Sequence, residues 1–139
     1  MAYWLFKTEP NDYSWDQFVA DGRTDWDGVK NHQAARNMKT MAVGDRAFFY
    51  RSVKDPAVLG IMEVVRDAYP DPDDPEGPFV RVDLAPVRPL PEPVPLARIK
   101  ATPELADLAL VRQSRLSVIP VDAAAWALIC RMGGLEDAT

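Results

Sequence analysis

Nine of the thirteen prolines fall between residues 70 and 95, and no other feature limits this chain so tightly. Proline donates no backbone hydrogen bond and clashes with a preceding helical turn, so this stretch reads as loop, or as strand with one side free. Residues 70–78 are expected to be loop, and residues near Pro86 a strand edge or end. Between them, residues 79–84 alternate, with Val80, Val82 and Leu84 on one face, which predicts a strand.

The flanking segments punctuate themselves. Residues 3–7 are aromatic and aliphatic and too short for a helix, hence a buried strand. Residues 46–52 and 58–66 predict an antiparallel hairpin in which Phe48, Tyr50 and Ser52 share a face and Gly60 marks a bulge or a close backbone approach. Ser14 with Gln17 three residues on forms a capping box for a helix with an apolar stripe of Trp15, Phe18 and Val19, stopped by Gly22. A second helix over 31–41 has Ala34, Ala35, Met38 and Met41 at helical spacing and ends at Gly44. Thr102-Pro103 opens a third, with Leu105, Leu108 and Ala109, and Asp122 caps a last one, which turns Trp126, Ile129 and Cys130 inward and ends at Gly133. The Trp26 segment reads as a loop and residues 117–121 as a short strand. Short strands interrupted by short helices, without regular alternation, predict an α+β domain, a barrel-like sheet flanked by helices. At 139 residues the chain is expected to be one domain, 1–139, frayed over 135–139.

With one cysteine, Cys130, no intrachain disulfide forms and a multi-cysteine zinc site is excluded, which fits a reducing compartment. The apolar run 2–6 lacks a preceding basic flank, and no stretch approaches the roughly 20 residues of a membrane span. The expectation is a cytoplasmic protein without a membrane partner. The net charge of −5 is local: residues 1–60 hold eight basic and eight acidic side chains, 93–139 five of each, and 61–92 three against eight. A basic face elsewhere, from Lys30, Arg36, Lys39, Arg51, Lys54, Arg112 and Arg115, is therefore allowed, and an ordinary solvated surface explains these residues equally well.

The segment Trp26-Asp27-Gly28-Val29-Lys30-Asn31-His32-Gln33 places an indole, a glycine, a cation and an amide within six residues at the start of a helix. A flat, polar-edged ring is held by such groups: a face to stack on, backbone groups for its edge, and positive charge for a phosphate. The same residues also read as a core aromatic, a turn glycine and an N-cap.

Six ordered motifs then resemble the successive signatures of the EVE domain family, within the PUA-like superfamily. They are Tyr3-Trp4-Leu5-Phe6-Lys7-Thr8-Glu9-Pro10, Trp26-Asp27-Gly28-Val29-Lys30-Asn31, Phe48-Phe49-Tyr50-Arg51-Ser52, Gly60-Ile61-Met62-Glu63-Val64, Tyr69-Pro70-Asp71 and Arg112-Gln113-Ser114-Arg115-Leu116-Ser117-Val118. The resemblance implies a PUA-like β-barrel flanked by short helices, related to the YTH domains that hold a methylated adenine. It also implies a non-catalytic domain holding one flipped or unpaired, modified base of DNA or RNA. On that resemblance the pocket is Thr8, Glu9, Trp26, Val29, Lys30, Asn31, Tyr50, Ser52, Ser114, Arg115 and Leu116, with Arg36, Arg51 and Arg112 toward phosphate at the rim. The chain departs from the family's usual serine at Thr8, arginine at Lys30 and histidine at Arg51. Trp26→Ala is expected to abolish base preference with the fold intact.

Two other readings stand beside it. Glu9, Tyr50, Ser114 and Lys30 have the residue types for acid–base work, as in a nuclease or hydrolase acting on RNA or modified nucleotides. Against this, His32 is the only histidine, and no nucleophile elbow, phosphate-binding glycine loop or metal-ligand cluster is present, so neither enzyme, cofactor nor metal is expected. The acidic proline-rich stretch 71–77 would serve a protein-interaction module and otherwise reads as a solvated loop.

Overall fold

A computed structural model describes residues 1–9, 13–26 and 31–136. Its six-stranded sheet runs in the order β2-β5-β4-β3-β1-β6, with β1 Tyr3–Thr8, β2 Thr24–Trp26, β3 Arg46–Arg51, β4 Ala57–Pro70, β5 Val80–Pro95 and β6 Val118–Val121. The apolar run of β1 is explained by its position. It lies between β3, to which it is parallel, and β6, to which it is antiparallel, so Trp4, Leu5 and Phe6 are buried on both faces. Ala47–Tyr50 in β3 are buried for the same reason.

The prolines are absorbed differently from expectation. They do not end a short strand near Pro86; β5 continues for 16 residues through Pro86, Pro89, Pro91, Pro93 and Pro95. Among the described residues β2 pairs with Val82, Asp83 and Leu84 and no strand lies on the outer side of β5 beyond Leu84, so a missing N–H there is tolerated. Four register shifts against β4 accommodate the rest. At one of them sits Gly60, where an added Cβ would lie 2.5 Å from the Trp15 ring, the close approach its position predicts. Trp26, expected in a loop, belongs to β2 opposite Val82.

Among the described residues five α-helices decorate the sheet: α1 Trp15–Asp21, α2 His32–Lys39, α3 Leu96–Lys100, α4 Ala109–Arg112 and α5 Ala123–Met132. Local caps set their starts. Ser14 Oγ accepts from Gln17 N, Asn31 Oδ1 from Ala34 N and Asp122 Oδ1 from Ala125 N, at 3.1, 2.9 and 2.7 Å. Gly22 closes α1 in the left-handed region, at φ 73°. Val19, placed in the apolar stripe of α1, is instead half exposed. Thr102 makes no side-chain cap; its hydroxyl donates to Arg98 O, and a single 3₁₀ turn, Pro103–Leu105, follows. Leu135 is buried and its N–H donates to Cys130 O, so the expected fraying does not reach it; residues 137–139 lie outside the described residues.

The sheet is mixed and its strands do not close into the expected barrel: among the described residues no pairing joins β2 to β6. In a flat sheet β5 and β6 would stand roughly 19 Å apart, four strand spacings. α2 nevertheless packs on β4, β5 and β6, and a helix is only about 10–12 Å wide, so the sheet must curl around it. Asn37 of α2 donates to Val118 O at 2.8 Å, satisfying a carbonyl of the β6 edge. On the other side Trp126 of α5 stacks between Phe48 and Tyr3, at centroid separations of 3.9 and 4.6 Å. The acidic segment is pinned rather than merely solvated: Arg81 bridges Asp25, Asp71 and Asp73 at 2.7, 3.1 and 2.9 Å. None of the helices formed by the described residues is long and apolar enough to cross a membrane.

Candidate nucleic-acid interface

A hollow of about 830 Å³ opens over the carboxyl-terminal ends of the parallel strands β1 and β3. Successive strand residues face opposite ways, so Lys7 and Thr8 look to different sides of the sheet and the hollow straddles it. On one side it is walled by Trp26, Tyr13, Thr24 and Asp25, on the other by Leu96 and Lys100 of α3 and Leu110 and Val111 of α4. Glu9, Tyr50, Ser52, Val53, Pro56, Ser114 and Ser117 complete the lining.

Trp26 reconciles its two readings. Its indole packs edge-on against Phe6, Phe49 and Tyr13, at 5.2, 6.0 and 6.4 Å between centroids, and only 8% of the residue is exposed, yet it lines the hollow. Removing such a ring costs about 3–5 kcal/mol, so Trp26→Ala unsettles the fold, contrary to the expectation from sequence.

Lys7 is the cation that sequence reasoning missed. It stands opposite Tyr50 in the β1–β3 register, its Nζ 5.9 Å from that ring, and donates to Ser114 O at 2.9 Å. Burial lowers its pKa from the ordinary lysine value. The readable signal was a lysine ending an otherwise apolar strand. Tyr13, also missed, donates to Asp21 Oδ2 at 2.8 Å; burial, then that bond, push its phenol up to about 12. Burial alone pushes Tyr50 up to about 12. Ser52 fastens the strand ends, its N and Oγ both donating to Thr8 O at 2.9 and 3.0 Å.

A second hollow of about 330 Å³ is lined by Asn31, Gln33 and the 112–116 segment. The residues expected in one pocket therefore divide. Thr8, Glu9, Trp26, Tyr50 and Ser52 line the larger space, Asn31, Arg112, Arg115 and Leu116 the smaller, and Ser114 borders both. Asn31 Oδ1 is engaged as a cap, leaving its amide N–H groups for other contacts. Val29 and Lys30 lie outside the described residues. Arg36 is exposed on α2, and Arg51 donates through Nε and Nη2 to Asp55 O; neither lines either of these two hollows. Arg112 is held by Asp107 at 2.7 Å.

Comparison with known proteins agrees with this architecture. A protein of Rhodopseudomonas palustris solved by NMR superposes with a TM-score of 0.94 at 52% identity, covering 99% of this chain and 96% of that one. The crystal structure of human THYN1 protein in complex with 5-methylcytosine-containing DNA superposes with a TM-score of 0.91 at 27% identity, covering 99% of this chain and 100% of the human one. Thymocyte nuclear protein 1 of Homo sapiens is 30% identical over 86% of this chain and 68% of its own length. The family model described as the EVE domain matches residues 2–132, and the chain belongs to the EVE domain family.

Proposed function

We propose that this chain is a non-catalytic reader of modified nucleic acid, which takes one unpaired or extruded base, a modified cytosine or another methylated base, into the large hollow. The observation that carries the reading is an indole, two phenols and a half-buried ammonium lining one space about the strand ends. The human relative in complex with 5-methylcytosine-containing DNA supports the same ligand class. A base must leave its stack to enter, at a cost of a few kcal/mol, and stacking on an aromatic side chain offsets roughly 1–3 kcal/mol of that. A single buried methyl adds only about 0.8 kcal/mol, roughly fourfold in affinity. Finer discrimination falls to polar groups that a wrong base would leave unpaired: Lys7, Thr8, Ser52 and Ser114 in the larger space, Asn31 beside it. Lys100, which lines the larger space, and Arg115, which lines the smaller, are assigned to phosphate, and Lys30 is assigned the same role from its sequence position. The buried lone cysteine suits a reducing compartment such as the cytoplasm.

Ser114 is exposed and borders both hollows, so Ser114→Trp blocks them without touching the core. Binding is measured against short single strands, each carrying one modified cytosine or adenine, at fixed salt. The expected result is preference for one modified strand in the wild type and its loss in Ser114→Trp. A wild type indifferent to every modification, or an unimpaired variant, refutes the reading.

A further inference from the structure

Residues 52–56, which join β3 to β4, form a turn at odds with its own sequence. Val53 has φ 72° and Asp55 φ 49°, both left-handed. Aspartate tolerates that region; a β-branched residue there is an outlier. Packing does not compensate, because Val53 is 74% exposed. The turn is nevertheless clamped: Arg51 donates twice to Asp55 O, at 3.0 and 2.7 Å, Ser52 N and Oγ hold Thr8 O, and Lys54 N donates to Ser52 O at 3.0 Å. Glycine would adopt this geometry without strain. Instead an apolar, branched side chain is held rigidly toward solvent at the lip of the large hollow, which it lines. Its contribution therefore lies outside the fold.

We infer that Val53 is a wedge for duplex DNA. When a base leaves the helix for the hollow, Val53 enters the vacated space and covers the faces of the neighbouring bases, while exposed Lys54 meets the adjoining phosphate. This rests on the base-binding reading of the hollow. Apolar side chains inserted between base steps stabilise such gaps, and extrusion from a duplex needs that help where a single strand does not.

The test uses the full chain with two probes at the same salt: a duplex carrying one 5-methylcytosine, and the same strand alone. Val53→Gly is expected to weaken duplex binding about tenfold more than it weakens single-strand binding, a difference of about 1.4 kcal/mol. Its melting temperature should stay or rise, and Val53→Met, which keeps apolar reach, should restore duplex binding. Undiminished duplex binding by Val53→Gly, or equal loss on both probes, overturns the wedge. So does a wild type that binds the single strand but not the duplex, and in that case base binding itself survives. A wild type that binds neither refutes the base-binding reading and the wedge with it.

Discussion

At the scale of single residues, the charge state of the hollow follows from burial. Tyr50 and Tyr13 are both pushed up to about 12 from the ordinary 10.0, and a folded-state pKa above the unfolded one stabilises the fold only while the group stays protonated in both states. That contribution is complete below pH 10 and disappears as pH rises through about 12. Tyr50→Phe keeps the ring and removes the titrating group. Denaturant unfolding should therefore show near-wild-type stability at pH 7 and a shallower alkaline decline than wild type; an unchanged decline would contradict the assignment. Trp26 was legible as a candidate from its segment, which sets a glycine, a cation and an amide close to the indole, and Tyr50 through the family resemblance; both line the hollow. Lys7 and Tyr13 were not legible, since what makes them part of the hollow is the parallel register of β1 on β3 and the contact of Tyr13 with Trp26, both non-local.

Among the elements, those set by neighbours in the chain were readable. The caps Ser14, Asn31 and Asp122 each bind a backbone N–H three residues on, so their signals are local. The length of β5 depends on β4 partners 10 to 38 residues away in sequence, and the strand at Trp26 and the hold of α2 on β6 depend on partners more than 50 away; none left a local trace. Gly60 is intermediate: its special role could be foreseen, its partner could not. A Cβ there meets Trp15, whose ring is wedged against Phe18 and Phe49, so Gly60→Ala should lower stability by about 1–3 kcal/mol in chemical denaturation. Pairing it with Trp15→Leu should recover part of the loss. A fully additive double variant would show that the clash is not the cause.

For the molecule as a whole, charge is sorted rather than spread. Arg81 gathers Asp25, Asp71 and Asp73, and Arg23 holds Asp83, so these four carboxylates are ion-paired within the fold. Among the described residues the cations bordering the two hollows are few: Lys7, Lys100, Arg112 and Arg115. With three or four phosphate contacts, the logarithm of single-strand affinity should fall with the logarithm of salt at a slope of about −2 to −3. A titration giving a slope near zero would exclude phosphate from the interface. Beyond charge, Ser114 is a party wall between two rooms, and its carbonyl is anchored to the ammonium of Lys7. A guest that pushes this partition in either direction resizes the chamber next door, so the two spaces cannot change size independently of each other.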